Sequence, residues 1–195
     1  MKDKYSIMIG RDYGSGGLEI AEKVAARLGI GYFNIDLVDL VSEINEMNAS
    51  AVQAVDKNLP EFLTVEGEEE TILNIYEDQS ALMKSRSSHG SAIFLGRCAD
   101  GKLKHADHLL SVFITAPLEF RAERIKKELH LSDLETAKER VKQVDKERKC
   151  YYEHYSGNQW GDVNHKDFVI NSQAMGINGA VELIVNEAYR RWGRA

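Results

Sequence analysis

An α/β fold built on a parallel sheet is the architecture this sequence predicts, and three observations predict it. A short apolar run, Tyr5-Ser6-Ile7-Met8-Ile9, leads through the glycine-rich segment Gly10-Arg11-Asp12-Tyr13-Gly14-Ser15-Gly16-Gly17 straight into an amphipathic helical pattern. Strand-like and helix-like segments then alternate along much of the chain, as they do where helices connect parallel strands. Later apolar runs such as Ser91-Ala92-Ile93-Phe94-Leu95 are short and continuous, the mark of strands buried on both faces.

Taken in order, Tyr5 to Ile9 reads as the first strand. In the helix after the glycines, Leu18, Ala21, Val24, Ala25 and Leu28 recur at helical spacing, and Gly29 stands where a C-cap glycine belongs. Tyr32-Phe33-Asn34-Ile35 reads as a second strand, and Asp36 is placed to cap a helix carrying Leu37, Leu40, Val41, Ile44 and Met47 on one face. From Ala49 to His89 strand signals vanish: Pro60 breaks the pattern, residues 66–70 are acidic, and Ile72, Ile75, Tyr76, Gln79, Leu82 and Met83 trace another helical stripe. A helical insertion over the sheet, about 37–90, is expected there.

The run from Ser91 to Leu95 ends at Gly96-Arg97, which reads as a buried central strand with a functional loop at its carboxyl end. Residues 109–114 form the next buried strand, and Pro117 fits the first position of the helix that follows. Arg121 and Arg124 lie three apart on one face of that helix. Ser132-Asp133-Leu134-Glu135 has capping-box form and opens a highly charged helix through Lys138, Arg140, Lys142, Lys146, Arg148 and Lys149. An aromatic cluster follows, Tyr151, Tyr152, Tyr155 and Trp160, before a fifth strand at Phe168-Val169-Ile170 and a closing helix marked by Val181, Ile184, Val185, Ala188 and Trp192.

With 195 residues, 43% of them apolar, the chain can bury one good core, so a single domain over 1–195 is expected, with an inserted or lid-like subregion. The formal net charge of −6 argues against bulk nucleic-acid affinity but leaves room for a local cationic pocket. Two cysteines, Cys98 and Cys150, make neither a disulfide framework nor a zinc site, and reduced thiols are the simplest reading. No apolar stretch is long enough to span a bilayer and no signal-peptide core precedes the first strand, so a soluble cytoplasmic protein is expected.

The glycine segment carries the chemistry. Gly14, Gly16 and Gly17 let the backbone turn tightly with its N–H groups pointing inward, and the following helix adds the positive end of its dipole. The usual phosphate loop, GxxxxGK[ST], adds a Lys for the β- and γ-phosphates and a hydroxyl for Mg²⁺, where this chain has Gly17 and Leu18. By the motif alone, a tight turn and a phosphate cradle are equally good readings. Arg97 is read as a phosphate ligand ahead of a structural ion pair, because it stands at a strand end where ligands bind in parallel sheets. Arg121 and Arg124 have Glu119, Glu123 and Glu128 within reach as ordinary helix-surface partners. The charged helix is by default a solvated face, the aromatics more often pack a lid than stack on a base, and His105 and His108 lack a third metal ligand nearby. Cys98, beside Arg97, has no feature of a catalytic thiol.

Arg11-Asp12-Tyr13-Gly14-Ser15-Gly16-Gly17 resembles the variant loop of the cytidylate kinase-like family, a branch of the nucleoside monophosphate kinases in which a second Gly replaces the Lys. Gly96-Arg97 is similar to the Gly-Arg whose arginine contacts the acceptor monophosphate, Asp145-Lys146-Glu147-Arg148 to the arginine-bearing lid segment, and residues 168–172 to the last strand and the base-proximal turn. The resemblance implies a three-layer P-loop NTPase fold with five parallel strands, an acceptor-binding insertion after the second strand and a lid at about 130–160. It implies ATP and Mg²⁺ as cofactors and transfer of the γ-phosphate to a nucleoside monophosphate, CMP or dCMP favoured. A nucleotide-binding regulatory protein without turnover, or a kinase for another small metabolite, is the alternative. Arg11, Arg97 and Arg148 are then the expected catalytic cations, and Gly14, Ser15, Gly16, Gly17, Arg121 and Arg124 the expected nucleotide contacts. Asp12 or Glu19 is the available protein ligand for Mg²⁺. Leu18, where relatives often carry Arg, and Asn34, where cytidylate kinases carry an acid, depart from the pattern.

Overall fold

Strand β1 (Ser6–Arg11) lies at the centre of a five-stranded sheet whose order is Gly31–Asn34 (β2), Ala92–Leu95 (β3), β1, Leu109–Thr115 (β4) and Phe168–Asn171 (β5). The computed structural model describes residues 4–34, 83, 85–96 and 108–193. Within them the chain runs β1, α1 (Gly17–Leu28), β2 (Gly31–Asn34), β3 (Ala92–Leu95), β4 (Leu109–Thr115), α2 (Leu118–Glu128), α3 (Leu134–Ser156), a short 3-10 turn (Val163–His165), β5 (Phe168–Asn171) and α4 (Ser172–Trp192). Every neighbouring pair is parallel, with Ile7 beside Ile93 and Leu110, and Ile114 beside Ile170. The α/β reading with five parallel strands is the observed architecture.

Period-two alternation divides β1 between two cores. Ile7 and Ile9 join Ile93, Leu95, Val112 and Ile170 under Ile20 and Val24 of α1 and Val181 and Ile184 of α4. Met8 points to the opposite face, with Ala92, Phe94 and Met83. Because both faces are covered, the strands read as unbroken apolar runs, and each fully buried Ile or Leu contributes roughly 1.5–3 kcal/mol. A third cluster joins α2 to α3 through Ala122, Ile125, Ala137 and Val141.

Several boundaries differ from the sequence reading. Pro117 is the N-cap of α2 rather than its first residue, and helix geometry starts at Leu118. Asp133, not Ser132, caps α3, accepting the Thr136 N–H at 2.8 Å, while the Ser132 hydroxyl donates to Asp133 at 2.9 Å. The charged helix extends to Ser156, so Tyr151, Tyr152 and Tyr155 are part of α3, which ends at left-handed Gly157. Helix α4 begins at Ser172 and kinks at Gly176, φ 73° and ψ 159°. Ile35, the helix capped by Asp36, most of the insertion and Arg97 lie outside the described residues.

Candidate functional site

At the carboxyl edge of the sheet the chain leaves β1 at Arg11 and enters α1 at Gly17. Between them Gly14 and Gly16 adopt φ of 79° and 82°. Space demands glycine as well, since a Cβ on Gly14 would stand 2.7 Å from the Arg121 carbonyl oxygen and one on Gly16 2.5 Å from Ile177 Cδ1. The turn is held from within: the Ser15 hydroxyl donates to Asp12 O at 2.8 Å, and the Ser172 hydroxyl donates to Ser15 O at 2.6 Å. Gly16 is the N-cap of α1 and offers no side-chain acceptor, so no cap competes for the first-turn N–H groups. Those donors and the positive helix end border an open cavity, an arrangement whose electrostatics suit an anion.

The cavity measures about 270 Å³ and is bordered by Gly14, Gly16, Gly17, Leu18 and Glu19 of the loop and α1, Asn34, Leu95, and Arg124 and Glu128 of α2. Arg11, Asp12 and Arg148 also line it. Arg11 is only 5% exposed and Arg148 7%. The Arg148 guanidinium donates to Arg11 O at 3.3 Å and stands 5.4 Å from the centre of the Tyr13 ring. Arg124 is freer, with its Nη2 3.4 Å from Glu19 Oε2. Glu19 also accepts from Lys23 at 2.8 Å, and that hydrogen bond is the main cause holding its carboxyl below the usual range. Burial pushes the Tyr13 phenol up, against the lowering influence of Arg140 and Arg148.

Behind the loop lies a second layer of polar contacts. Asp145 of α3 accepts the Tyr13 N–H at 2.8 Å through Oδ1 and pairs through Oδ2 with Arg121 Nη1. Arg121 also donates to Tyr13 O at 3.0 Å and, through Nε, to Ala116 O at 2.8 Å. Burial pushes the Asp145 carboxyl up, with the nearby Asp12 charge adding, against the lowering influence of the Tyr13 N–H and Arg121. Asp12 itself accepts from the Thr115 hydroxyl at 2.6 Å and from Trp160 Nε1 at 3.3 Å. Trp160 meets Phe113 and Tyr152 edge to face, at 5.1 and 5.4 Å, so these aromatics pack the end of α3 and the chain after it onto β4.

The fold thus gathers Arg11, Gly14, Gly16, Gly17, Arg124 and Arg148 around one cavity. Ser15 is fully buried with its hydroxyl turned to Asp12 O, so its side chain is a brace of the turn. Arg121 does not border the cavity and spends Nε and Nη1 on the protein. Arg97 falls outside the described residues, directly after Gly96, which follows β3 and donates its N–H to Ile9 O at 3.3 Å. The sequence reading placed Asp145 and Ser172 inside motif segments but gave neither a role of its own. Asp145 had one available signal, its position three residues before Arg148 on the same helix face.

The sequence model of the cytidylate kinase-like family matches residues 6–174. Among solved structures, an uncharacterized protein from Eubacterium ventriosum is 24% identical, with a TM-score of 0.73 over 95% of this chain and 98% of its own. Shikimate kinase from Bacteroides thetaiotaomicron is 12% identical, with a TM-score of 0.57 over 94% and 97% of the two chains. Deoxyadenosine kinase from M. mycoides, solved with dATP, is 15% identical, with a TM-score of 0.51 over 96% and 98%. At these identities the likeness is one of fold. No curated protein sequence matches the chain.

Proposed function

Starting from a chain that belongs to the cytidylate kinase-like family, we propose that it is an ATP-dependent phosphotransferase that passes the γ-phosphate to a nucleoside monophosphate, with CMP or dCMP the leading acceptors. The observation that carries this reading is the convergence of three arginines, Arg11, Arg124 and Arg148, on a cavity floored by left-handed glycines and a helix N-terminus. Phosphoryl transfer asks mainly for alignment and charge neutralisation, and an acceptor phosphate is already a competent nucleophile. An acceptor oxygen attacks the γ-phosphorus, the bond from that phosphorus to the β–γ bridging oxygen breaks, and ADP leaves with the electron pair.

In this reading the loop N–H groups hold the β-phosphate, and Arg11 takes over the charge role of the absent Lys. Arg148 faces the transferring group, Arg124 borders the nucleotide and Arg97 receives the acceptor phosphate. Arg121 acts from behind, through Asp145 and Tyr13.

The donor set fits a polyphosphate well. For Mg²⁺ it offers carboxylates without a loop hydroxyl: Ser15 is turned inward, and Asp12 and Glu19 border the cavity while accepting bonds from other side chains. Such a set suits an ion carried in on the phosphates with water completing its shell, and the charge neutralisation it supplies adds to that of the arginines. A cytoplasmic setting and small nucleotides as sole substrates complete the proposal. No helix among the described residues is long and apolar enough to cross a membrane.

Gly17 and Leu18 favour a second reading, a nucleotide-binding regulator without turnover, because they remove the two side chains that most phosphate loops use. Transfer of labelled γ-phosphate from ATP to CMP, dCMP, UMP, AMP and GMP, with ATP binding measured on the same preparation, separates the two. Labelling of one pyrimidine monophosphate supports the kinase; ATP binding with none labelled supports the regulator or a kinase for another small metabolite. Absence of ATP binding would sink both.

A further inference from the structure

We propose that Asp145 is a positioning residue that clamps the phosphate loop to helix α3 and thereby sets Arg148 over the cavity. The proposal rests on the phosphate-site reading above. Asp145 and Arg148 are one helical turn apart, and both reach the same three-residue stretch, Arg11 to Tyr13. Asp145 Oδ1 takes the Tyr13 N–H at 2.8 Å, whereas Arg148 Nη1 gives to Arg11 O at 3.3 Å and lies over the Tyr13 ring.

Arg121 closes the clamp from the other side. It pairs with Asp145 and donates to Tyr13 O at 3.0 Å, so Tyr13 has its N–H and its C=O both fixed by side chains of two different helices. The carbonyl oxygen of Arg121 itself lies against Gly14, leaving no room there for even a Cβ. A third tie runs from Trp160, beyond the end of α3, to Asp12 at 3.3 Å. The loop that receives phosphate is therefore braced through the same turn of helix that delivers an arginine to it. Arrangement of the donors and placement of the cation become one event. Buried hydrogen-bonded charge is suited to specifying such a unique arrangement, since every alternative leaves a carboxylate or guanidinium unpaired.

Two measurements test the clamp. Hydrogen exchange on the ligand-free protein reads the loop by itself: Asp145→Ala should speed exchange of the Tyr13 amide about tenfold or more while the β1 and β4 amides keep their rates. Asp145→Asn keeps one oxygen for the Tyr13 N–H but sets its NH2 against Arg121, so its exchange should fall between wild type and Asp145→Ala. Wild-type exchange at Tyr13 in Asp145→Ala overturns the clamp.

Affinity for mant-ATP then reads its consequence in wild type, Asp145→Ala, Arg148→Ala and the double variant. The Asp145→Ala loss, about tenfold in the wild-type background, should shrink to about threefold or less when Arg148 is already absent. Equal losses in both backgrounds overturn the claim that Asp145 acts through Arg148. If Asp145→Ala does not fold, Arg121→Met/Asp145→Leu removes both buried charges at near-constant volume and takes its place in both measurements. A wild-type protein that fails to bind mant-ATP sinks the kinase reading, and the exchange result then decides the clamp alone.

Discussion

The Cβ of Arg11 stands 2.6 Å from where a Cβ on Gly17 would lie, and its Cγ stands 2.9 Å away. The side chain of Arg11 and any side chain at position 17 therefore compete for one space. Gly17 is not among the residues with positive φ, so its glycine answers to this contact and not to backbone conformation. The missing Lys and the buried Arg11 are two sides of one arrangement, in which the cation beside the loop comes from the end of β1.

Restoring the Lys alone should fail. Gly17→Lys is expected to cost about 1–3 kcal/mol through overpacking against Arg11. Adding Arg11→Gly should recover most of that loss by vacating the space. Urea unfolding of wild type, the single variant and the double variant checks this; an equal loss in both variants would show that some contact other than Arg11 excludes a side chain at 17.

Arg121 and Arg124 should separate cleanly when each is replaced by Ala. The Arg121 side chain is 11% exposed and its partner Asp145 21%, so removing it strands a largely buried carboxylate and should cost about 3–5 kcal/mol of stability. Arg124 is 37% exposed and meets a Glu19 carboxylate that is 43% exposed, at 3.4 Å, a pair expected to contribute about 0–1 kcal/mol. Its loss should appear in nucleotide affinity, as a roughly tenfold weaker Kd for ATP if one charge-assisted contact is removed. Thermal melts and ATP titrations on both variants decide it, and the reverse pattern would exchange the roles assigned to the two arginines.

That division could not be read from the sequence, because Arg121 and Arg124 share a helix face and only the docking of α3 distinguishes them. Asp145 was hidden for the same reason. Its partner Tyr13 is 132 residues away, and in a helix crowded with carboxylates and lysines its spacing from Arg148 does not by itself mark it as buried. By contrast the strands were plain, since Ile7, Ile9, Ile93, Leu95 and Val112 are buried on a sheet covered on both faces and leave unbroken apolar runs. The left-handed glycines were plain too, because Gly14 and Gly16 have few alternatives at φ near 80°. At the start of α3 the sequence offered two adjacent capping residues, and the shift from Ser132 to Asp133 follows from which one reaches the Thr136 N–H.

That cap makes a pH prediction. Hydrogen bonds from the Thr136 N–H, the Thr136 hydroxyl and the Ser132 hydroxyl lower the Asp133 carboxyl from 3.8 to about 2. Folding thus favours the ionised form, so the stabilisation is complete above pH 3.8 and is lost as pH falls through about 2. Wild type should exceed Asp133→Ala in stability at about pH 6, and the difference attributable to the carboxylate should shrink as the pH approaches about 2. Urea midpoints of the two proteins across that range test it; a difference that grows on acidification would reverse the sign.

The two left-handed glycines of the loop should respond differently to Ala. Both substitutions place a Cβ in the left-handed region, at about 1–2 kcal/mol. At Gly16 the new methyl meets the terminal Cδ1 of Ile177, which can rotate away. At Gly14 it meets the carbonyl oxygen of Arg121, backbone in the first turn of α2, at 2.7 Å. That carbonyl cannot move without shifting the residue whose guanidinium grips Tyr13 O and Asp145. Gly14→Ala should therefore lose a further 1–3 kcal/mol, roughly, relative to Gly16→Ala. It should also speed exchange of the Tyr13 amide, which Gly16→Ala leaves protected. Calorimetric melts together with amide exchange on the two variants distinguish them. Equal destabilisation with equal protection would mean that the loop yields at Gly14 without disturbing α2, and that Arg121 holds Tyr13 less rigidly than the bond lengths imply.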